Sequence, residues 1–270
     1  MIETKGKVYI VGGGPGDPEL LTLKAKRIIE SADVVIFADS LVPPEVVAFA
    51  KEGAQVVGSK ELNLDQIMEL ELNSAREGKT VARVQSGDPS IYGAILEQMR
   101  ILDQEGIDYE IIPGVSAAFA AAAVLKAELT VPEKSQTVIM TRMEGRVAMP
   151  PGEQLKDLAA HGCTMVIFLS ITRMTKVVRE LTSSGYTVDT PVAVVYRVGW
   201  PDELVIRGTL KDIAGKVRAA KITLQAVIIV GDAVATGLDS AGAVSHLYSA
   251  DYTHRYRKGS GTRASGNGKG

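Results

Sequence analysis

Three short apolar segments in the first half of the chain each run into a glycine-bearing turn, and this pattern restricts the possible folds most. KVYIVG leads into GGPGD, TVARV into QSGDP, and YEII into PGVS. Another strand-like segment, DVVIF, and stretches with helical spacing lie between them. Such alternation predicts an α/β fold with a mostly parallel sheet. Turns that follow parallel strands meet at one sheet edge, where ligands bind. We therefore expect residues 12–17, 86–88 and 113–116 to build one site.

The pattern changes after residue 130 and predicts a second α/β domain with a mixed sheet. The short link at 199–203 joins two neighbouring strands like a hairpin. We expect an N-terminal domain over 1–130, a C-terminal domain over 131–236, and the active-site cleft between them. The Gly/Ser-rich, basic tail over 237–270 is expected to be largely disordered. The strands of the second domain are predicted at 136–141, 165–169, 192–196, 204–207 and 225–230, and its helices near 153–161, 174–184 and 211–220.

Composition excludes several classes of function. The formal net charge is -2, which does not fit the broad basic surface of a nucleic-acid-binding protein. The sequence lacks an apolar run of the roughly 20 residues that cross a bilayer. Its single cysteine, Cys163, cannot form an intrachain disulfide and is expected to be a small buried residue. The three histidines have no zinc spacing, so we expect no protein-bound metal. The predicted compartment is the cytoplasm.

The first glycine turn differs from a dinucleotide fingerprint. Gly12, Gly14 and Gly16 are spaced GxGxG, whereas the nucleotide motif is GxGxxG. Asp17 followed by Pro18 is typical of a helix N-cap and first helical position. The turn is therefore either a tight connection between a strand and a helix or a place where the backbone approaches a ligand closely.

The other two turns leave similar alternatives. Gly87 lets the chain turn and leaves room for a ligand. Asp88 either caps a helix that begins at Pro89 or binds a ribose or amine. Ser116 either caps the following helix of small residues or bonds to a ligand. That helix packs closely against a sheet or against a flat ligand.

The segment TRMEGR places Arg142, Glu144 and Arg146 just beyond a predicted strand. One interpretation is an ordinary solvated loop. The other is a clamp for anions, because guanidinium groups pair with carboxylates through two parallel hydrogen bonds. A substrate edged with carboxylates would suit that clamp.

Together these segments resemble the tetrapyrrole methylase family, the class III S-adenosylmethionine-dependent methyltransferases. The resemblance runs from about residue 8 to residue 234. FADSLV, TRMEGR, YRVGWPDE and SHLYSADYTHRYR are most similar to the precorrin-4 and cobalt-precorrin-4 C(11)-methyltransferases of cobalamin biosynthesis. The wider resemblance rests on YIVGGGPGDPELLTLKA, VVIFADSLV, VARVQSGDPSIYG, IIPGVSAAFAAAA, LTVPEKSQTVIMTRMEGR, MVIFLS and PVAVVYRVGWPDELVIRGTL.

The resemblance implies a homodimer that transfers a methyl group from S-adenosylmethionine to C11 of a corrin precursor, giving precorrin-5 or cobalt-precorrin-5. It implies Asp39 as the first candidate for acid–base catalysis and Glu144 as the second. It implies that the tetrapyrrole faces Gly12, Gly14, Gly16, Asp17, Asp39, Ser40, Arg142, Glu144 and Arg146. The implied cofactor contacts are Pro15, Ser86, Gly87, Asp88, Ile91, Tyr92, Ser116, Ala117, Leu169, Tyr196, Arg197, Val198 and Ala226.

The sequence departs from the family pattern at three places among these implied contacts. Ser116 stands where many relatives have threonine, which keeps the hydroxyl, and Leu169 stands where others have methionine, which keeps an apolar wall. Residues 196–198 read YRV where uroporphyrinogen methylases read ENG, which argues against that activity. The alternatives are another corrin-pathway methylase, a diphthamide-pathway methylase, a nicotinamide-dependent oxidoreductase and a non-catalytic tetrapyrrole-binding protein.

Overall fold

The first sheet lies entirely within the N-terminal half of the chain. The structure is a computed structural model that describes residues 6–235 and 249–260. The strand order is β3-β2-β4-β1-β5, and all four pairings are parallel. The predicted parallel sheet is therefore confirmed. In this sheet β1 lies between β4 and β5. The strands are β1 Lys7–Gly12, β2 Val34–Phe37, β3 Gln55–Gly58, β4 Val81–Gln85 and β5 Asp108–Ile112.

Four helices accompany this sheet. α1 begins after the capping residue Thr22 and buries Ala25, Ile28 and Ile29, as its apolar spacing predicts. α3 begins at a capping box formed by Asn63 and Gln66. β3, α2 and α3 fall in a stretch for which the sequence pattern predicts no element. The helices are α1 Leu23–Ser31, α2 Pro44–Val47, α3 Leu64–Arg76 and α4 Leu96–Gln104.

The second sheet has the order β6-β7-β10-β8-β9 and is mixed, as predicted. Only the β6–β7 pairing is parallel among these strands. β8 and β9 form the antiparallel pair that the short link at 199–203 predicts. The elements are β6 Val138–Arg142, α6 Leu155–Ala159, β7 Thr164–Phe168, α7 Met174–Thr182, β8 Pro191–Tyr196, β9 Leu204–Thr209, α8 Ile213–Ala219 and β10 Ala226–Val230.

α5, Ala117–Leu125, joins the two halves. It follows β5 of the first sheet, yet its buried alanines share a core with Val166, Val195 and Val227 of the second sheet. Small side chains let the helix backbone approach that sheet closely. Packing therefore places this helix with the second sheet, whereas the domain boundary near residue 130 stays a prediction.

The predicted tail lies partly outside the described residues. Within it, residues 249–260 form turns, with an isolated bridge between His254 and Arg257. Across the described parts of the chain, every helix is too short or too polar to cross a lipid bilayer.

A glutamate is buried between α3 and β4. Glu71 is fully buried, and its nearest charged partner is the Nε atom of Arg83, 3.9 Å from Oε1. Neither carboxylate oxygen has a hydrogen-bond donor among the described residues. Burial raises the pKa of Glu71 to about 7, although the positive charge of Arg83 partly opposes this shift. The fold therefore favours the protonated acid.

This raised pKa predicts how stability depends on pH. The folded chain binds the Glu71 proton more tightly than the unfolded chain, in which the pKa is near 4.5. The free energy of unfolding should therefore fall as pH rises from about 4.5 to about 7, by about 2–4 kcal/mol from this group. Glu71→Gln should remove that loss. Urea unfolding at pH 5 and pH 8 measures it, with the exposed Glu61→Gln as the control. An equal stability difference between wild type and Glu71→Gln at both pH values would contradict the prediction.

Candidate active site

The three glycine turns meet directly. Gly14 and Gly87 form a two-way backbone bridge, with the Gly14 amide 3.2 Å from the Gly87 carbonyl and the Gly87 amide 2.7 Å from the Gly14 carbonyl. A Cβ atom on Gly12 would lie 2.5 Å from the amide nitrogen of Gly114. Only glycine permits such close backbone approach. The expectation that these turns share one sheet edge is therefore confirmed.

Asp88 links two of these turns. Its Oδ1 accepts a hydrogen bond from the Ser90 amide at 2.9 Å, and its Oδ2 accepts one from the Gly114 amide at 3.0 Å. Of the two interpretations of Asp88, the one in which it caps a helix beginning at Pro89 is wrong, because α4 begins only at Leu96. A turn stands in its place, since Tyr92 and Ala94 have φ values of 56° and 49°, which no right-handed helix accommodates.

Ser116 caps a helix as one of its two interpretations predicts. Its hydroxyl oxygen accepts the Ala118 amide at 3.3 Å at the start of α5. Asp17 likewise accepts the Glu19 amide at 2.8 Å, but the helix that it caps is a short 3-10 turn, Pro18–Leu20. Both side chains thus hold the shape of a turn at the sheet edge.

A cavity of about 490 Å³ lies at these turns and takes its walls from both halves of the chain. Its size is within the range of small-molecule sites. From the first half it is lined by Pro15, Ser40, Leu41, Ser86, Gly87, Asp88, Ile91, Tyr92, Ser116 and Ala117. From the second half it is lined by Phe168, Leu169, Ile171, Thr172, Val195, Arg197, Val198, Trp200, Thr223, Leu224, Gln225, Ala226 and Val227.

All of the predicted cofactor contacts except Tyr196 line this cavity. Tyr196 instead lines a smaller cavity of about 240 Å³, which shares Thr223 and Leu224 with the larger one. The glycine turns border the larger cavity, so we take that one as the candidate site. Sequence reasoning missed several of its wall residues, including Trp200 and Gln225. The conspicuous motif GWPDE was a signal for Trp200.

Four non-glycine residues with positive φ line the cavity. They are Tyr92, Leu169, Arg197 and Gln225, with φ between 45° and 56°. Such backbone is costly for these residues and concentrates at functional sites. Leu169 also leaves 65% of its surface exposed, which is unusual for a large apolar side chain at the end of a strand. At these four positions the left-handed backbone directs the side chain differently from the extended backbone of a strand.

The walls contain aromatic rings. The Tyr92 and Phe168 rings lie 5.6 Å apart in a tilted arrangement. Desolvation raises the pKa of the Tyr92 hydroxyl, and the nearby positive charge of Arg142 partly offsets that effect. Trp200 also lines the cavity, and the Arg197 guanidinium lies 3.8 Å from the centroid of its ring. Aromatic faces attract cations, so the wall formed by Tyr92 and Phe168 suits a ligand with a positive centre.

Of the predicted substrate and acid–base residues, only Ser40 lines the cavity. Asp39 lies beside it in sequence, and its carboxylate accepts the Lys60 amide at 2.7 Å and lies 3.5 Å from the Lys60 ammonium. Arg142 donates to the carbonyls of Val147 and Ala148 within its own loop. The others outside the cavity lining are Gly12, Gly14, Gly16, Asp17, Glu144 and Arg146. The tetrapyrrole contacts therefore stay predictions.

Within residues 6–235 and 249–260, no group of three or more histidine, cysteine, aspartate or glutamate side chains is arranged to hold a metal ion.

The fold and the cavity between two α/β halves agree with one family of methylating enzymes. The model of the Tetrapyrrole (Corrin/Porphyrin) Methylases matches residues 7–214, and the chain belongs to this family. It is 51% identical over 257 residues to the cobalt-precorrin-4 C(11)-methyltransferase of Methanocaldococcus jannaschii, covering 95% of this chain and 98% of that one. It is 49% identical over 252 residues to the precorrin-4 C(11)-methyltransferase of Pseudomonas aeruginosa, covering 93% and 99%.

Solved structures give the same family. The structure of a cobalamin biosynthetic enzyme, cobalt precorrin-4 methyltransferase, superimposes with a TM-score of 0.83 at 49% identity, covering 84% of this chain and 95% of that one. The uroporphyrin-III C-methyl transferase of Thermus thermophilus, complexed with S-adenyl homocysteine, gives a TM-score of 0.70 at 29% identity and covers 85% and 99%. The predicted family and fold are confirmed.

Proposed function

We propose that this chain is the S-adenosylmethionine-dependent methyltransferase that methylates C11 of cobalt-precorrin-4 or precorrin-4 in cobalamin biosynthesis. The product would be cobalt-precorrin-5 or precorrin-5. One observation carries the proposal: glycine turns from adjacent strands border a cavity shared by both halves. The chain that builds this cavity is about half identical, over nearly its whole length, to C(11)-methyltransferases.

The cavity fits the cofactor by size and by chemistry. S-adenosylmethionine, when bound, supplies a methyl group on a positively charged sulfonium. The Tyr92 and Phe168 rings suit that charge. Ser86 and Ala117 on the cavity wall offer polar groups for the ribose and base, whereas the Gly87 amide and carbonyl are paired with Gly14, and Leu169 offers an apolar wall. Tyr196 is the one proposed cofactor contact that does not line the cavity.

The chain's main task in the reaction would be positioning. An electron-rich ring carbon would take the methyl group from the sulfonium, and good orientation of the two lowers such a barrier by about 7–11 kcal/mol. The apolar walls exclude water, which favours a step that disperses charge. We propose that the turn at 12–17 holds the flat acceptor against this cavity, since Pro15 of that turn lines it. No covalent enzyme intermediate is needed.

Methylation at a ring carbon also moves a proton. Asp39 is the proposed acid–base residue, and Glu144 is the second candidate. Asp39 is next to Ser40, which lines the cavity, and its carboxylate is only 18% exposed. The contact with Lys60 keeps a positive charge beside it. Glu144 lies in the loop that Arg142 organises.

Replacing the Asp39 carboxylate tests its role. Asp39→Asn keeps the shape and one acceptor for the Lys60 amide but removes the base, so kcat should fall about 10²- to 10⁴-fold. The affinity for S-adenosylhomocysteine, measured by calorimetry, should change little. Asp65→Asn, an exposed aspartate in the first turn of α3, is the matched control. A wild-type rate for Asp39→Asn would remove Asp39 from proton transfer.

The glycine turn makes a separate prediction about cofactor binding. Gly87 has a φ of +64°, which a β-branched residue adopts only with strain. Gly87→Val should disrupt the bridge to Gly14 and weaken S-adenosylhomocysteine binding by more than about tenfold, as a loss above about 1.4 kcal/mol. Gly53→Val is the control, because Gly53 has a similar φ of +80° and open space around it. Undiminished affinity in Gly87→Val would contradict the assignment of this turn.

Product analysis tests the function itself. Purified protein, S-adenosylmethionine and defined precorrins, with and without cobalt, should give one added methyl group, located at C11 by mass spectrometry and NMR. Transfer to the cobalt-containing acceptor alone, or to the metal-free acceptor alone, would assign the substrate form. Methylation at another ring carbon would assign another corrin-pathway activity. Tetrapyrrole binding without transfer would replace the enzyme proposal with a binding protein.

We also propose a homodimer that works in the cytoplasm. The homodimer follows from the family resemblance, and one described surface is compatible with it. Phe119, Ala123 and Val124 form an exposed apolar face on α5, and Phe119 is 58% exposed. Exposed apolar faces of this kind commonly contact another chain.

A further inference from the structure

Trp200 is the only tryptophan of the chain, and it connects the two halves at the cavity. Its indole Nε1 donates a hydrogen bond to the Pro15 carbonyl at 3.2 Å, across 185 residues of sequence. A Cβ atom on Gly16 would lie 2.3 Å from the indole Cδ1, so the ring is in close contact with the glycine turn. The contact joins Trp200, which the sequence did not predict as a site residue, to the predicted site residues Pro15 and Gly16.

The indole is held rigidly on its own side. The Arg197 guanidinium lies 3.8 Å from the ring centroid and is itself paired with Asp202. The Trp200 amide donates to the Arg197 carbonyl at 3.0 Å, and the Glu203 amide donates to the Trp200 carbonyl at 3.1 Å. The ring is therefore mounted on a tight turn between β8 and β9.

The glycine turn is held equally firmly on the other side. Gly14 is bridged to Gly87, and Gly12 is packed against Gly114. The indole thus lies between two rigid supports, one from each sheet. A second contact, from the Gln225 amide group to the Ser40 carbonyl, crosses between the halves elsewhere on the cavity wall.

We propose that Trp200 is a positioning residue for methyl transfer. Its indole fixes the turn at 12–17 relative to the cavity, and so fixes where the acceptor ring lies relative to the methyl group. This inference rests on the proposed function, in which the cavity holds the cofactor and the turn faces the acceptor. Misplacement of reacting groups by about 1 Å costs about 10²-fold in rate, even when each ligand still binds.

Trp200→Phe tests the proposal by removing the N–H group while keeping an aromatic ring for Arg197. We expect kcat to fall about 10- to 100-fold, with the Kd of S-adenosylhomocysteine changed less than about threefold. Trp200→Ala should lower kcat further. The control is Tyr109→Phe, which also removes one hydrogen-bonding group from an aromatic ring. Tyr109 lies near the start of β5, whereas the turn at 113–116 follows the end of that strand. This control should keep the wild-type kcat.

Wild-type fluorescence gives a second test that needs no variant. Because Trp200 is the single tryptophan, tryptophan emission reports the surroundings of this one ring. Saturating S-adenosylhomocysteine should change the emission and reduce quenching by acrylamide, because the ring lines the cavity.

Three results would overturn the proposal. One is a wild-type kcat in Trp200→Phe. Another is a rate loss that is fully explained by weaker cofactor binding or by a smaller folded fraction. The third is tryptophan emission that does not change when S-adenosylhomocysteine is added, although calorimetry detects binding. These differ from failure of the proposed function, in which wild-type protein neither binds S-adenosylhomocysteine nor transfers a methyl group.

Discussion

The close approach of three glycine backbones holds the candidate site together. Gly12 ends β1, Gly87 and Gly114 follow the adjacent strands β4 and β5, and a Cβ atom on Gly12 or Gly114 would collide with the backbone of a neighbouring glycine. The Asp88 carboxylate reinforces this contact by binding amides in two of the turns. The glycines are therefore needed first for the fold, because only they let the backbones of the three turns come so close. The cavity depends on this close packing.

The second sheet completes the cavity through contacts that are distant in sequence. α5 places its alanine side chains in the core of the second sheet, although the helix continues directly from the first. The end of β7, the end of β8 and the start of β10 then meet at one edge, because β10 is antiparallel to both neighbours. Leu169, Arg197 and Gln225 adopt left-handed backbone there.

Much of this arrangement was predictable from the sequence, and the exceptions have physical reasons. β2 and β10 are almost wholly buried, and each is a continuous apolar run. β3 is an exposed edge strand, and α3 buries Glu71 and Ser74 among its apolar residues, which obscures the periodicity. The helix predicted after Asp88 fails because Tyr92 has a positive φ. Trp200 and Gln225 were missed because each contacts a residue 185 positions away.

The strand order has a consequence for the newly made chain. β1 lies between β4 and β5, so its two neighbours are synthesised long after it. Until β5 and the turn after it have left the ribosome, the glycine turns cannot all meet, and no complete cavity exists. Ligand uptake must therefore wait for pairing between remote segments, a slow step in folding. A ligand that binds only the finished cavity would then trap the folded chain and shift the equilibrium toward it.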